Sequence, residues 1–414
     1  MTETLTLQLT DMAHGGDALG RDEDGRVIFV PYAIPGEKVR VEVVDDQERF
    51  AHARLLEVLE PSPERAEPRC PHFGVCGACH WQHMSYEAQL KYKQEVVGDQ
   101  LQRIGRLQNV EVQPTLANPE PWTYGVDVSF RPTPDGENLG FWSPVLDQVM
   151  EIEECHIIRP LLLELFQDLD MAFPGLQRLT LRVGDDEALL VALEVEDLEP
   201  PELVTDFPVS VTVLLPDGTA ANLVGDNHIV QAVKGRDFRV TAGSFFYTSP
   251  PAAALLVDTV LRYAALTGAE TVLDAYCGVG MLTAFLADEA AQVIGVEAAP
   301  DAVADAALNL EGAESAVLYE GSVEAVLPEI AVRPEVMVVD PPPDGLSREV
   351  VEMLEVAELE RLIYVSSDPA TLGRDARQLH DGGYELIEVQ PIDMLPQTFR
   401  VLTVSLWEYP EAGR

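Results

Sequence analysis

Apolar and polar residues alternate in short runs over residues 5–60, as in LTLQL and VIFVPYAIPGEKVRVEVV. Turn-forming Gly and Asp residues, as in HGGDALGRDEDGR, separate these runs. A period of two is typical of strands, because successive side chains of a strand point to opposite faces. Residues 1–60 are therefore predicted to form a small antiparallel barrel of four or five strands.

The pattern changes after a Pro-rich linker, EPSPERAEPRC. Residues 61–107 contain this linker, a cluster of cysteines and the segment YEAQLKYKQEVVGDQLQRIGRL, whose apolar spacing predicts a helix. Residues 108–240 return to short apolar runs with hairpin signals such as TPDGENLG, which predicts a middle α+β domain.

Residues 241–414 alternate helical patterns with short, continuously apolar strands. PAAALLVDTVLRYAALTG and MLTAFLADEA read as helices, while TVLDAYCG, QVIGVEA, EVMVVDPP and RLIYVSSDP read as strands. Strand–helix alternation of this kind predicts a mostly parallel, doubly wound α/β sheet.

Composition narrows the class of protein. With 414 residues, 47% of them hydrophobic, the chain is long enough for two or three domains that each bury a core. No run approaches the ~18 consecutive apolar residues of a membrane span, and MTETLTLQLTD lacks the features of a signal peptide. Five cysteines are too few for a disulfide framework. We expect a cytoplasmic protein without membrane contact.

The charge is strongly acidic, with 27 Lys and Arg against 71 Asp and Glu and a net charge of −44. Nucleic-acid binders usually neutralise phosphates with basic residues, so this balance opposes long-range attraction to a polyanion. Two interpretations stay open, namely a solvated acidic surface that reflects the composition of the organism's proteins, and a lost polyanion interface.

A glycine turn follows the first strand of the predicted α/β sheet. Asp274 ends the strand, and Gly278 and Gly280 lead into a helix, which lets the backbone approach a ligand closely. Glu297 ends the next strand, where a carboxylate can accept hydrogen bonds from ribose hydroxyls, and Asp340 ends a later one. The dinucleotide pattern lacks its third glycine, so this loop suits S-adenosylmethionine better than NAD.

Three cysteines, Cys70, Cys76 and Cys79, follow the spacing C-x5-C-x2-C, and Cys155 lies far downstream in EIEECHI. Three thiolates in one loop need a fourth ligand for a tetrahedral set, which a remote cysteine commonly supplies. The spacing leaves zinc and an iron–sulfur cluster both open.

The sequence resembles the RNA uracil-C5 methyltransferases, which make 5-methyluridine in ribosomal and transfer RNA, over nearly its full length. HGGDALGR and VIFVPYAIPGEKVRV resemble the family's TRAM domain, an oligonucleotide-binding-type (OB-like) barrel, and CPHFGVCGACHWQHMSYEAQLKYK with ECHI resembles its [4Fe-4S] segment. SFFYTSP, LDAYCGVGMLT, VIGVE, VVDPPPDGL, YVSSDPATLGRD and DMLPQTFRV follow the order of its C-terminal motifs. A class I, Rossmann-like methyltransferase sheet is therefore expected in residues 241–414.

The resemblance implies both cofactors and most site residues. S-adenosylmethionine would contact Tyr247, Tyr276, Gly278, Gly280, Glu297 and Asp340. A [4Fe-4S] cluster, in preference to zinc, would be held by Cys70, Cys76, Cys79 and Cys155. The implied partner is ribosomal or transfer RNA, and the expected state is a monomer.

Two catalytic positions depart from the family's pattern. Uracil C5 is a poor nucleophile, so a thiolate first adds at C6 and a base later removes the C5 proton. Ser367 stands where the family has the cysteine nucleophile, and Leu402 stands where it has the glutamate base. Tyr247 replaces a glutamine, Pro343 replaces an arginine, and Cys277 is expected to pack within the cofactor turn rather than to react.

Three hypotheses follow from these departures. The chain could be a uracil-C5 methyltransferase with relocated catalytic groups. It could instead methylate a nitrogen or oxygen that needs only orientation toward the methyl group, without a covalent adduct. The third hypothesis is a paralogue without catalysis that acts by binding.

Overall fold

The structure is a computed structural model that describes residues 3–169, 173, 175–197 and 208–410. Its N-terminal region is a closed barrel. Its strands run in the order β1-β2-β3-β5-β4, and β3 and β5 pair in parallel while the other pairs are antiparallel. Alternate side chains such as Leu7, Ile28 and Val39 fill its interior, which confirms the predicted barrel. The strands are β1 (Thr4–Met12), β2 (Ala18–Arg21), β3 (Val27–Val30), β4 (Lys38–Asp46) and β5 (Phe50–Glu60).

Helix α1 (Tyr86–Arg103) follows an irregular segment that contains the three clustered cysteines. The side chain of Ser85 caps it by accepting a hydrogen bond from the amide of Ala88. The sequence predicted a helix over 86–107, but the chain turns at Arg106, whose φ is 58°. Leu107 then packs into the C-terminal core instead of continuing the helix.

The middle region is a seven-stranded sheet with the order β12-β11-β10-β9-β6-β7-β8 and one helix against it. Phe130, Leu179 and Leu193 belong to its apolar core. The elements are β6 (Asp127–Pro132), β7 (Leu139–Ser143), β8 (Gln148–Met150), α2 (Pro160–Asp168), β9 (Leu176–Val183), β10 (Leu189–Val195), β11 (Val209–Leu214) and β12 (Ala220–Val224).

A two-stranded ribbon, β13 (His228–Val233) and β14 (Arg236–Thr241), connects the middle and C-terminal regions. The strand-rich pattern of residues 108–240 predicts that this stretch belongs to the middle region. In the structure, Ile229, Phe238 and Val240 share one apolar core with the C-terminal sheet. The same core includes Leu190 and Ala192 of β10, so the ribbon packs between the middle and the C-terminal sheets.

The C-terminal region is a doubly wound sheet with the order β17-β16-β15-β18-β19-β21-β20. The first five strands pair in parallel, and β21 is antiparallel to both neighbours, which confirms the predicted α/β class. The elements are α3 (Pro250–Ala264), β15 (Thr271–Ala275), α4 (Met281–Ala287), β16 (Gln292–Glu297), α5 (Pro300–Asn309), β17 (Ala316–Glu320), α6 (Val323–Val326), β18 (Val336–Val339), α7 (Arg348–Ala357), β19 (Arg361–Ser366), α8 (Pro369–Asp381), β20 (Glu385–Ile392) and β21 (Leu402–Glu408). No helix in the described ranges combines the length and apolar character that a membrane span requires.

A buried ion pair joins α1 to the loop between β20 and β21. The ammonium of Lys93 donates to the carboxylate of Asp393, and both side chains are fully buried. Lys93 also donates to the backbone oxygen of Leu395 at 3.1 Å. Burial lowers the pKa of Lys93, while the charge of Asp393 opposes that shift. The pair holds the last loop of the sheet against the helix.

Replacing Lys93 by Met is expected to destabilise the protein by about 3–5 kcal/mol, because Asp393 would keep a buried carboxylate without its counter-ion. Urea unfolding measures this change. The control is Arg348→Met, whose guanidinium is 87% exposed and which should change stability by less than about 0.5 kcal/mol. A loss below about 1 kcal/mol for Lys93→Met would contradict the role of the pair.

Candidate active site

The glycine turn predicted from sequence lies between β15 and α4. Gly278 and Gly280 adopt φ values of 54° and 82°, in the left-handed region that favours glycine. A Cβ at Gly280 would lie 3.2 Å from the Cβ of Ala306, so helix α5 packs closely against the turn at this glycine. A Cβ at Gly278 would meet no atom of the described residues within 4 Å. The turn therefore presents bare backbone to open space at Gly278.

Glu297, at the end of β16, holds the turn in place. Its carboxylate accepts a 2.9 Å hydrogen bond from the amide of Gly278. The amides of Ala298 and Ala299 donate to the other carboxylate oxygen, each at 2.8 Å. A carboxylate has about four acceptor positions, so capacity for a ribose hydroxyl is left after these bonds. The predicted ribose contact is compatible with this geometry.

Asp274 is a buried carboxylate at the end of β15. Thr283 donates to its Oδ2 at 2.6 Å, but its buried Oδ1 has no hydrogen-bond partner among the described residues. Burial raises the pKa of Asp274 to about 7, and the charges of Asp340 and Glu297 add to the rise. A buried, unpaired acceptor next to the glycine turn is a position that a cationic ligand would satisfy.

Asp340 lies beside Asp274, because the strand that precedes it, β18, pairs in parallel with β15. Burial raises the pKa of Asp340 to about 6, and a hydrogen bond from the Tyr247 hydroxyl opposes the rise. Burial and the neighbouring Asp340 charge raise the pKa of Tyr247 well above its ordinary value. The Tyr247 phenol thus remains a proton donor to Asp340, a contact that sequence reasoning missed.

Ser367 is exposed at the carboxyl end of β19, the strand next to β18. The following residue, Asp368, begins α8 and accepts hydrogen bonds from the amides of Ala370 and Thr371. Oδ2 of Asp368 also lies 3.2 Å from Nε2 of His14, in the β1–β2 loop of the barrel. This contact, with the helix-capping bonds, holds the pKa of Asp368 well below its usual range.

Leu402, the other predicted catalytic position, is only 5% exposed. It begins β21, pairs with Ile392 and packs in the same apolar core as Met394 and Val404. The position that the family fills with a base is therefore part of the hydrophobic core.

Cys277 is buried within the turn. A Cβ on Gly295 of β16 would lie 3.1 Å from its sulfur, so the sulfur packs closely against this strand. Burial raises the pKa of Cys277 well above its ordinary value, which keeps the thiol protonated. Its position agrees with the expected packing role.

The four predicted metal ligands line a single small cavity of about 20 Å³. It is formed by Cys70, Cys76, Cys79, Cys155 and neighbours that include Phe73, Gln82, Phe141 and Ile152. Burial raises the pKa of Cys76 to about 11 and that of Cys79 to about 12. Across the described ranges, however, no three His, Cys, Asp or Glu side chains are placed closely enough to hold a metal ion. The fold collects four sulfur donors, but not in a ligating arrangement.

The cysteine segment contacts the loop between β20 and β21. The amides of His80 and Trp81 donate to the backbone oxygen of Gln397 at 2.9 and 3.0 Å. The ring of His80 packs edge-on against Phe399, with 4.6 Å between centroids. These contacts place the cysteine cavity next to the C-terminal sheet.

The sequence matches one known domain and, over nearly its full length, known RNA methyltransferases. The model of the TRAM domain matches residues 2–56. An uncharacterized RNA methyltransferase of Halalkalibacterium halodurans is 34% identical over 98% of this chain and 97% of that protein. Another from Chlorobaculum tepidum is 31% identical over 99% of this chain and 97% of that protein.

A similar solved structure is the Pyrococcus abyssi tRNA (uracil-54, C5)-methyltransferase in complex with S-adenosyl-L-homocysteine. It covers 98% of this chain and all of that chain with a TM-score of 0.74 at 23% sequence identity. At 23% identity the match shows the fold alone, and it extends over all three regions of the chain.

Asp274 gives the predicted cofactor site a pH dependence. A protonated carboxyl cannot attract a sulfonium, so S-adenosylmethionine should bind about 30-fold more weakly at pH 5.5 than at pH 8, given a pKa of about 7. Calorimetric titration at both pH values measures this ratio. Asp274→Asn should weaken binding at pH 8 and flatten the dependence.

The control is Asp288→Asn, an exposed carboxylate at the end of α4 that should leave both affinities unchanged. Equal affinities of the unmodified protein at the two pH values would contradict the assignment of Asp274 to the cofactor site.

Proposed function

The chain belongs to the RNA methyltransferase family, and from this membership we propose that it transfers the methyl group of S-adenosylmethionine to a nucleotide of RNA. The observation that carries the proposal is the convergence of Asp274, Glu297 and Asp340 on the carboxyl edge of one parallel sheet. Ligands of open α/β sheets bind at this edge.

The residues of this edge fit the cofactor. When bound, S-adenosylmethionine supplies an electrophilic methyl group on a sulfonium sulfur. Glu297 would accept hydrogen bonds from the ribose hydroxyls, and Gly278 would let the backbone approach the ligand. The unpaired Oδ1 of Asp274 would face positive charge. Tyr247 would keep Asp340 oriented at the neighbouring strand end.

The resemblance to uracil-C5 methyltransferases gives the target that we propose first, a uridine of ribosomal or transfer RNA. This reaction needs a nucleophile at C6 and a base for the C5 proton. Ser367 is accessible for the first role, although a hydroxyl is far less nucleophilic than a thiolate. Leu402 offers nothing for the second role, so another residue must accept the proton.

The burial of Leu402 favours a second candidate, methyl transfer to a ring nitrogen or an oxygen of RNA. Such an acceptor needs orientation and the loss of one proton, but no covalent adduct with the enzyme. A paralogue that binds RNA and cofactor without catalysis is the remaining alternative. The cytoplasmic location and the monomeric state remain predictions.

Binding of RNA must work against a net charge of −44. Several arginines of the barrel are already paired with carboxylates, including Arg26, Arg40 and Arg54. We therefore propose that RNA is held with few phosphate contacts. Such binding weakens less with added salt than that of a basic protein.

Methyl transfer tests the proposal directly. Protein purified without oxygen is incubated with labelled S-adenosylmethionine and undermodified total RNA, and the nucleosides are identified by mass. We expect one methylated nucleoside, and Asp340→Asn should lower the rate by about 100-fold, because charge stabilisation at the strand end is lost. Glu352→Gln, an exposed helix residue, is the control.

The identity of the product separates the candidates. 5-Methyluridine would support the uracil reaction, and another methylated nucleoside would support the second candidate. Bound cofactor with no transfer to any RNA would overturn both.

We further propose that Cys70, Cys76, Cys79 and Cys155 hold a [4Fe-4S] cluster. Support comes from the resemblance of the segment and from the shared cavity that these side chains line. Ligation requires the thiols to draw closer and to lose their protons, which a bound cation favours. Four of the eight other residues that line the cavity, Phe73, Ala78, Phe141 and Ile152, are apolar and would shield part of the cluster from water.

Iron and sulfide analysis after purification without oxygen should find both elements in equal amounts. Cys76→Ser should lose most of both, because one ligand is removed. Cys277→Ser, which changes a cysteine outside the cavity, should keep them. Stoichiometric zinc without sulfide would overturn the cluster proposal.

A further inference from the structure

His14 reaches the C-terminal sheet from the loop between the first two strands of the barrel. Two contacts fix this loop. The indole nitrogen of Trp81 donates to the backbone oxygen of Gly16 at 2.9 Å. A Cβ on Gly16 would lie 2.9 Å from the Cβ of Phe399, so no larger residue fits there. Trp81 and Phe399 therefore hold in place the loop that carries His14.

Asp368 orients the imidazole. Its Oδ1 accepts hydrogen bonds from the amides of Ala370 and Thr371 at 2.9 and 2.8 Å, which fixes the carboxylate at the start of α8. Its Oδ2 lies 3.2 Å from Nε2 of His14. Within the described part of the chain, Nδ1 of His14 makes no hydrogen bond and is left for another partner. A base oriented by a carboxylate is a recurring arrangement in acid–base catalysis.

The pair lies at the edge of the sheet that holds the predicted cofactor site. Asp340 directly follows β18, and Ser366 ends the neighbouring strand β19, two residues before Asp368. Adjacent strands of a sheet are about 5 Å apart, so Asp368 and Asp340 lie at the same carboxyl edge of the sheet. The position that the family uses for its base, Leu402, is buried in the core and cannot supply that group here.

We propose that His14, oriented by Asp368, accepts the proton that leaves the atom being methylated. The inference rests on the proposed function. In the transfer, the bond from sulfur to the methyl carbon breaks and the bond from the acceptor atom to that carbon forms. The acceptor's proton moves to Nδ1 of His14, and S-adenosylhomocysteine leaves as the neutral thioether. The Asp368 carboxylate stabilises the resulting imidazolium.

A purely structural role would use the same contact between His14 and Asp368, so the test must separate it from proton transfer. His14→Gln keeps a donor that can reach Asp368 but has no basic nitrogen. With the RNA and labelled cofactor described above, His14→Gln and His14→Ala should each lower kcat by about 100-fold and leave KM within about threefold. Added imidazole should restore much of the rate of His14→Ala.

Two further variants complete the design. Asp368→Asn keeps a capping side chain for α8 but removes the charge, and it should also lower kcat. His52→Ala changes an exposed histidine elsewhere on the barrel and should leave kcat unchanged.

The outcomes are distinguishable. Full activity of His14→Gln, or a loss in His14→Ala that imidazole does not relieve, would overturn the role of His14 while methyl transfer itself stands. Unmodified protein that binds the cofactor and methylates no RNA would overturn the proposed function and this inference with it.

Discussion

One loop, residues 393–400, pairs with buried polar groups of helix α1 and of the segment before the middle sheet. Asp393 neutralises Lys93 of α1, and Gln397 exchanges two hydrogen bonds with Gln89, at 2.9 and 3.0 Å. The hydroxyl of Tyr124, from the segment before the middle sheet, donates to the oxygen of Pro396 at 3.0 Å. Buried polar groups are costly unless paired, so these bonds favour the docking of α1 and of the middle region against this loop. The backbone oxygen of Gln397 also accepts hydrogen bonds from the cysteine segment, and Phe399 packs against Gly16 of the barrel.

Local pattern was enough to predict the architecture. The period-two runs gave the barrel, and the strand–helix alternation gave the doubly wound sheet, because both patterns follow from which face of an element is buried. The ribbon β13–β14 was assigned to the middle region, since alternation shows that a face is buried but not which neighbour covers it. The end of α1 was placed too late because the apolar spacing continues through Leu107, beyond the turn at Arg106.

The residues of the proposed cofactor site could be placed from sequence only where each lies at a recognisable turn or strand end. Gly278, Gly280 and Glu297 follow from one βαβ unit, and Asp340 follows from its position at a strand end. The His14–Asp368 and Tyr247–Asp340 contacts join distant segments, and no local signal specifies such pairs. The resemblance to a family marked positions 367 and 402 as altered, but only the folded chain places a histidine beside one of them and apolar side chains around the other.

The Lys93–Asp393 pair also bears on the order in which the chain is made. Its two residues are separated by 300 positions. At a synthesis rate of 5–20 residues per second, the ribosome needs about 15–60 s to extend from the lysine to its partner. During that interval the barrel can close, because its strand pairs lie within the first 60 residues. The ammonium of Lys93 therefore stays hydrated until residue 393 has been made, and α1 can dock on the sheet only after that point.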